Sequence, residues 1–202
     1  MNIEASQDNF CSAPWTSFHI HPSGSLKPCC VSSDVLVHLR DGTLEAGLSS
    51  EKLKNLKAKF INNEQPTGCK KCFKKEALGA QSRRQFINEI HKEGRSASWE
   101  AKTSETNILH LDISLSNLCN LKCRFCGPYC SSKWLQDLPS LAQDNIDGFW
   151  DDYVHENWSF FKVDMEELYS TLDRHKHLRF IEIKGGEPFL APGHLQLLDY
   201  LI

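Results

Sequence analysis

The stretch that decides the fold is residues 108–115, which read ILHLDISL. Its leucines and isoleucines recur at every second position, which places them on one face of a β-strand. A second strand is predicted over residues 179–184, after a helix over 164–175, and a further helix is predicted to begin near Pro192. The order strand, helix, strand, helix is typical of parallel β/α units. Because ligands of such units bind at the carboxyl ends of the strands, the loops that follow each strand are the candidate functional segments.

The chain in front of this unit has a different pattern. Residues 16–21 alternate apolar and polar side chains, Pro22-Ser23-Gly24 indicates a turn, and residues 25–30 return from it, so a β-hairpin is predicted. Helices are predicted over about residues 50–62 and then up to about Lys92.

The polar, aperiodic stretch 94–106 is predicted to be a linker between two domains. Residues 1–93 form a small α+β unit of a hairpin plus helices, and residues 107–202 form the start of an α/β domain. The overall fold class predicted from the sequence is therefore α/β.

Composition excludes several classes of protein. With 40% hydrophobic and 24% charged residues, the 202-residue chain is neither fibrous nor disordered. Residues 1–107 carry 15 Lys and Arg against 12 Asp and Glu, and residues 108–202 carry 8 against 14, so charge alone indicates no nucleic-acid binding. No apolar run reaches the roughly 20 residues of a membrane span, and no secretory signal is visible, which predicts a cytoplasmic protein without a membrane partner. Nine cysteines in a reducing compartment indicate metal binding or redox chemistry rather than disulfides.

Three of these cysteines follow the first strand of the α/β unit. Cys119, Cys123 and Cys126 are spaced Cys-x3-Cys-x2-Cys within eight residues. Soft thiolates select iron–sulfur clusters, zinc or copper(I). A closed structural zinc site needs a fourth ligand, whereas a cubane held by three cysteines keeps one iron open for a small molecule. A zinc knuckle and buried free thiols are the alternatives.

A second motif follows the second strand. Residues 185–188 read Gly-Gly-Glu-Pro. Glycines allow the backbone to approach a ligand closely, and the Glu187 carboxylate can pair with a cation. By itself this motif would indicate a turn at the end of a strand.

The two motifs in this order resemble the radical S-adenosylmethionine (radical SAM) superfamily. The resemblance implies that residues 107–202 are the N-terminal part of a (β/α) radical SAM barrel, with a [4Fe-4S] cluster on Cys119, Cys123 and Cys126. It implies that Phe125 packs near the adenine of S-adenosylmethionine. It also implies that Gly185, Gly186, Glu187 and Pro188 contact the methionine moiety.

The resemblance also implies an oxidoreductase mechanism and its partners. One electron from the reduced cluster cleaves S-adenosylmethionine to methionine and a 5′-deoxyadenosyl radical, which abstracts hydrogen from a substrate. The implied substrate is a peptide or a small molecule, and the implied reductant is a flavodoxin or ferredoxin. The cofactor carries out this chemistry, and the protein positions it and excludes water.

The cysteines of residues 1–93 form a second set. Cys11, Gly24 and Cys29 are spaced as in the first half of the SPASM/twitch auxiliary-cluster modules of radical SAM enzymes, and Cys69-x2-Cys72 resembles their later Cys-x2-Cys. Four thiolates can close a second, auxiliary [4Fe-4S] cluster. The glycine spacing favours Cys29 over its neighbour Cys30, although both stay open. A four-cysteine zinc site is the alternative.

Residues 108–202 hold room for about two β/α units, fewer than a complete barrel needs. The sequence therefore predicts a truncated enzyme that alone cleaves S-adenosylmethionine poorly, with a non-catalytic iron–sulfur or zinc module as the alternative function.

Several other residues are predicted to have no site role: Cys130 as a small buried residue, His19 and His21 on the hairpin surface, the lysines at 70, 71, 74 and 75 and the arginines at 83 and 84 on helix surfaces, and the aromatic residues within 149–161 as an insertion.

Overall fold

The computed structural model describes residues 9–91, 106–143, 161–175 and 177–202. The predicted linker, apart from its last residue, lies outside these ranges. So do the aromatic residues predicted to form an insertion, apart from Phe161, whose backbone N–H donates to the carbonyl oxygen of Pro22 at 2.9 Å.

Five strands form one mixed sheet in the order β3-β2-β1-β4-β5. The strands are β1 (Ser17–Ile20), β2 (Ser25–Lys27), β3 (Val37–His38), β4 (His110–Ser116) and β5 (Phe180–Gly185). The first three strands pair antiparallel, whereas β4 is parallel to both β1 and β5. The predicted hairpin and the predicted parallel pair are both confirmed.

The two segments that the sequence analysis assigns to separate domains share this sheet. Strand β1 pairs with β4 so that Phe18 lies opposite Leu111 and His19 lies opposite Asp112. The protein is therefore a mixed α/β structure in which the hairpin extends the parallel pair. The start of a radical SAM barrel and the domain division remain predictions.

Eight helices accompany the sheet in the described ranges. They are α1 (Ala13–Thr16), α2 (Leu44–Leu48), α3 (Glu51–Ile61), α4 (Lys70–Ala77), α5 (Arg83–Ile90), α6 (Leu138–Gln143), α7 (Met165–Arg174) and α8 (His194–Leu201). Side chains cap several of them: the Ser50 hydroxyl accepts from the Leu53 N–H, and the Asp164 carboxylate accepts from the first turn of α7. Within the part of the chain that is described, no helix is both long and apolar enough to cross a bilayer.

The predicted second helix of the N-terminal segment is wrong in one respect: it is two helices. Helix α4 ends at Ala77, and α5 begins after Ser82. Between them Gly79 has a φ of +76°, a conformation that an L residue rarely adopts. Ser82 and Gln85 then form a reciprocal capping box that starts α5. The break turns α5 back toward the sheet and toward Cys11.

The hydrophobic core lies on one face of the sheet. Alternate residues of β1 and β4 contribute Phe18, Ile20, Leu111 and Ile113, all fully buried. Helices α2, α3, α7 and α8 cover this face with residues such as Leu44, Leu53, Leu168 and Leu197. A smaller core of Phe10, Trp15, Leu56, Phe60 and Ile87 holds α1, α3 and α5 together. The opposite face of the sheet is therefore left to polar side chains.

His91, at the end of α5, predicts a measurable pH dependence of stability. Its ring is buried against the rings of His110 and Phe180, with centroids 5.7 and 5.2 Å apart. Burial, together with the nearby His110, Arg179 and Arg83, lowers the pKa of His91 to about 4. In the unfolded chain its pKa is about 6.5, so between these values the unfolded state binds the extra proton. Stability must therefore fall as the pH drops from 7 to 5, by about 1–2 kcal/mol from this residue.

We expect a His91→Phe substitution to remove that contribution. The measurement is the shift of the thermal unfolding midpoint between pH 7 and pH 5. His38→Phe, at an exposed position of β3, is the matched control and should keep the wild-type shift. An equal shift in both variants would show that His91 titrates normally in the folded protein.

Candidate metal centres

Four cysteines from distant parts of the sequence line one small, mostly apolar cavity. Cys11 precedes α1, Cys29 follows β2, Cys69 ends a 3-10 helix over Thr67–Cys69, and Cys72 lies in α4. Phe60 and Ile87 belong to the same wall. Cys11 and Cys72 are each only 6% exposed. The structure therefore brings together the four residues that the sequence predicts as the auxiliary set.

Hydrogen bonds tie the cysteine-bearing segments to each other. Asn88 of α5 bonds both sides of Cys11: its side-chain oxygen accepts from the Ser12 N–H at 2.8 Å and its amide donates to the Phe10 carbonyl at 2.9 Å. The Ser33 N–H donates to the carbonyl of Gly68 at 3.0 Å, which joins the loop after Cys29 to the segment before Cys69. A side chain at Gly68 would overlap the present position of the Asp34 carboxylate, which would then have to move.

Three of the four thiols of this cavity, called here the auxiliary site, are poor acids in the folded chain. Burial raises the pKa of Cys11 and Cys29, and it raises that of Cys69 to about 12. Repulsion from the neighbouring thiolates is part of these raised pKa values. Because a metal binds the thiolate, loading this site must release protons.

Four cysteine thiolates are the donor set of either a structural zinc ion or an iron–sulfur cluster. In the described residues, no three Cys, His, Asp or Glu side chains converge closely enough to hold one metal ion. A zinc site needs four ligands about 2.0–2.3 Å from one centre. The cysteines of a cubane each bind a different iron, so they surround a larger object. Four sulfur donors around a cavity fit an iron–sulfur cluster.

The structure separates Cys29 from Cys30. Cys29 lines the auxiliary site, whereas Cys30 is absent from its wall. Burial and the nearby Asp112 carboxylate raise the pKa of Cys30 to about 12 against the opposing effect of Lys184 and Arg83. Its thiol therefore lies toward the polar face of the sheet, away from the other three cysteines.

The second set, called here the triad site, lies in the loop after β4. The N–H of Cys126 donates to the carbonyl of Cys123 at 3.0 Å, which places two of the three cysteines on one turn. Burial raises the pKa of Cys126, and the nearby thiolates of Cys123 and Cys119 raise it further. The structure thus brings Cys119, Cys123 and Cys126 into each other's neighbourhood.

Cys130 is also a neighbour of this triad. Its backbone N–H donates to the Gly127 carbonyl at 3.0 Å. Burial raises its pKa to about 11, and Cys126 and Cys119 add to the shift. The prediction of a small buried residue is wrong in its burial, because Cys130 is partly exposed, and its lack of a ligand role stays a prediction.

The triad loop is held by side chains that the sequence analysis did not single out. The Asn117 amide donates to the Pro128 carbonyl at 3.1 Å, and the Ser131 hydroxyl donates to the Leu121 carbonyl at 2.7 Å. The Trp134 indole N–H donates to the Cys123 carbonyl at 3.3 Å. The Leu121 N–H in turn donates to the sulfur of Cys119 at 3.4 Å, so the loop supplies a hydrogen bond to a predicted ligand. Such hydrogen bonds tune a cluster's potential.

The Gly-Gly-Glu-Pro segment packs directly on the triad loop. The Gly186 N–H donates to the Ser116 carbonyl at 3.0 Å, and the Glu187 N–H donates to the Leu118 carbonyl at 2.7 Å. Gly185 has a φ of +130°, and a side chain there would overlap the Ser116 carbonyl. A Cβ on Gly186 would lie 2.7 Å from the Asn117 carbonyl oxygen and closer still to that of Leu118. The glycines therefore have a structural role: they allow two loops to touch.

The remaining predicted cofactor contacts surround this junction. The Glu187 carboxylate accepts from the Phe189 N–H at 3.3 Å and so caps the 3-10 helix Pro188–Leu190. Phe125 is 89% exposed and Phe189 is 77% exposed. Two large apolar side chains are therefore exposed to solvent beside the triad site.

A buried charge network occupies the polar face of the sheet. Asp112 of β4, 3% exposed, has its Oδ1 3.0 Å from His19 Nδ1, and its Oδ2 accepts from Lys184 at 2.6 Å. Lys184 also pairs with Glu182 at 2.8 Å. Arg83 of α5 pairs with Glu182 and lies 3.7 Å from Asp112. The network connects the helix beside the auxiliary site to the strand that leads into Gly185.

These contacts decide the protonation of the carboxylate. Burial alone would raise the pKa of Asp112, but the interactions with His19 and Lys184 outweigh it and hold that pKa well below its usual range. The predictions that His19 lies on the hairpin surface and that Arg83 and Arg84 lie on the helix surface are therefore wrong. Arg84 donates to the Phe10 carbonyl at 2.7 Å and to Glu76 at 2.9 Å. The alternation of side chains along each strand could have placed His19 and Asp112 on polar faces. Only the pairing register of β1 with β4 makes the two residues neighbours.

Comparison with known families agrees with this geometry at one end of the chain. Residues 11–73 match the family model of SPASM, an iron–sulfur cluster-binding domain. The match spans all four cysteines of the auxiliary site. This confirms the SPASM resemblance for these residues and supports iron–sulfur binding there. No curated protein and no solved structure matches the chain. The radical SAM resemblance of residues 107–202 stays a prediction.

Proposed function

We propose that the protein is a radical SAM enzyme with an auxiliary iron–sulfur cluster. The observation that carries the proposal is the junction of the two motifs: Gly186 and Glu187 hydrogen-bond to the first residues of the triad loop, at the carboxyl ends of neighbouring parallel strands. Ligands of β/α units bind at this edge. The SPASM match adds support, because such domains are found in radical SAM enzymes.

In this proposal Cys119, Cys123 and Cys126 hold a [4Fe-4S] cluster that has one iron free for S-adenosylmethionine. When bound, that cluster supplies one electron for cleavage of S-adenosylmethionine to methionine and a 5′-deoxyadenosyl radical, which takes hydrogen from a peptide or small-molecule substrate. Gly185, Gly186, Glu187 and Pro188 orient the methionine end, and Phe125 covers the adenine. The Leu121 N–H stabilises the thiolate of Cys119.

Cys11, Cys29, Cys69 and Cys72 would hold the auxiliary cluster with no iron left open. Its four ligands come from segments that α5 and the loop after β2 tie together. A saturated cluster serves as an electron relay or as a structural link. A cytoplasmic location and a flavodoxin or ferredoxin as reductant belong to the same proposal.

The test is spectroscopic. After anaerobic reconstitution, S-adenosylmethionine should perturb the EPR signal of the reduced protein and yield 5′-deoxyadenosine. A variant with Cys119, Cys123 and Cys126 changed to serine should lose that response and keep the auxiliary signal, whereas Cys130→Ser should keep both. An unperturbed wild-type signal, or zinc in the triad site, would refute the proposal in favour of a non-catalytic metal-binding module.

A further inference from the structure

A lysine face covers the outer side of the helix that carries Cys72. Lys70, Lys71, Lys74 and Lys75 of α4 are all exposed. None of the four forms an ion pair with another residue in the ranges that the structure describes. The nearest acidic residue of the helix, Glu76, is already bound to Arg84. Among the described residues, the face therefore carries four positive charges without an ion-pair partner.

This arrangement works against the helix itself. Lys70 and Lys74, and likewise Lys71 and Lys75, stand four residues apart, where like charges destabilise a helix by about 0.2–0.5 kcal/mol per pair. Two of the lysines occupy the first turn of α4, which holds no acidic residue. The helix dipole disfavours cations at that end, whereas it favours Lys74 and Lys75 in the last turn. A sequence chosen only for helix stability would not place lysines in the first turn.

The lysine face and the auxiliary site lie on opposite sides of α4. Cys69 immediately precedes α4, and Cys72 points inward from the middle of the helix. A helix with its side chains is about 10–12 Å wide, so a protein seated on the outer side of α4 would be within one helix width of these sulfurs.

An apolar strip runs beside the charges. Lys70, Lys71 and Lys74 line a shallow groove together with Pro66 and Phe73. Phe73 also packs against the small core that encloses the auxiliary site. A charged rim around a small apolar centre is typical of interfaces between proteins that bind transiently.

We propose that the lysine face docks an acidic one-electron carrier protein, which delivers its electron to the auxiliary site. The inference rests on the proposed function in one respect: the auxiliary site must hold an iron–sulfur cluster. In the step, the carrier loses one electron and the cluster gains it; no bond forms or breaks, and no proton moves. Complementary charge supplies the orientation and the fast encounter.

The test compares two triple variants of the reconstituted full chain. One replaces Lys70, Lys71 and Lys74 with glutamine, and the matched control replaces the exposed Lys54, Lys133 and Lys162. The probe is the fully reduced (hydroquinone) form of a flavodoxin, an acidic protein, and the readout is the second-order rate of cluster reduction in stopped-flow absorbance. A background with Cys119, Cys123 and Cys126 changed to serine restricts the signal to the auxiliary site.

We expect the first variant to lose about tenfold or more of the rate at low ionic strength, and to lose most of its salt dependence, because electrostatic steering contributes factors of about 10–10³. The control should lose little, and reduction by dithionite should be unchanged in both. Equal rates in the two variants would overturn the docking proposal. Protein that binds no iron and sulfide, or that dithionite does not bleach, would instead refute the auxiliary cluster and the docking proposal with it.

Discussion

We expect a Cys29→Ser variant to lose the proposed auxiliary cluster, and a Cys30→Ser variant to keep both of the proposed clusters. Cys29 lines the auxiliary site with Cys11, Cys69 and Cys72, and Cys30 lies outside its wall. A serine hydroxyl is a far weaker ligand for iron than a thiolate, and the cavity offers no fifth cysteine. The expected change is a loss of about four iron and four sulfide per chain.

The measurement is iron and acid-labile sulfide per chain after anaerobic reconstitution, together with the EPR signal of the reduced protein. Cys30→Ser is the matched control because it makes the same chemical change one residue away. Equal cluster content in the two variants would mean that the adjacent cysteines exchange roles, which the observed separation of their side chains opposes. Zinc in the wild-type site would contradict the cluster itself.

A Gly186→Ala variant will separate the two motifs of the triad site. The added Cβ would lie 2.7 Å from the Asn117 carbonyl oxygen and nearer to that of Leu118, and both are backbone atoms that cannot rotate away. The hydrogen bonds from Gly186 and Glu187 to the β4 end must then lengthen. We expect a loss of about 2–4 kcal/mol of stability.

The same variant should also bind less iron at the triad site, because the loop that carries Cys119 moves with Leu118. Gly79→Ala is the control: its φ of +76° makes alanine strained, but its Cβ would meet no atom within 4 Å. That change should cost about 1 kcal/mol and leave iron content unchanged. A Gly186→Ala protein with the wild-type unfolding midpoint and iron content would contradict this prediction. It would show that the triad loop and the Gly-Gly-Glu-Pro segment can separate without loss of stability or of iron binding.

The buried charge network gives the two cysteine sites a common support. Arg84 lies in the wall of the auxiliary site, and its neighbour Arg83 pairs with Glu182 of β5. Three residues beyond Glu182, β5 reaches Gly185 and the triad loop. Asp112 is the buried centre of this network, so removing Lys184 or His19 would leave its carboxylate less compensated. This network adds side-chain contacts to the backbone pairing of β1 with β4 that joins the hairpin to the parallel strands.

Several elements followed directly from local sequence. The alternation in residues 108–115 predicted β4, and the turn at Pro22-Ser23-Gly24 predicted the hairpin of β1 and β2. The apolar period of residues 50–62 predicted α3. The cysteine spacings predicted the two sets that the structure groups at separate places. These features depend on residues close together in the chain, so a short window contains the signal.

Other features were missed because they depend on residues far apart. No local pattern says that β1 pairs with β4, about 93 residues later in the chain, since backbone hydrogen bonding between strands is independent of sequence. That pairing alone puts His19 beside Asp112 and buries both. The break between α4 and α5, at Gly79, likewise turns Arg83 and Arg84 inward from what reads as a helix surface.

The sequence by itself determined the chemistry of this protein: which sulfur donors it has, at what spacing, and which strands precede them. Only the tertiary structure decided which neighbours those residues meet. In the folded chain Cys29 lines the auxiliary site and Cys30 does not. Gly185 and Gly186 allow the backbone after β5 to contact the backbone at the end of β4. The physical reason is that donor type is a property of one side chain, whereas burial, contact and charge pairing are set by packing between distant segments.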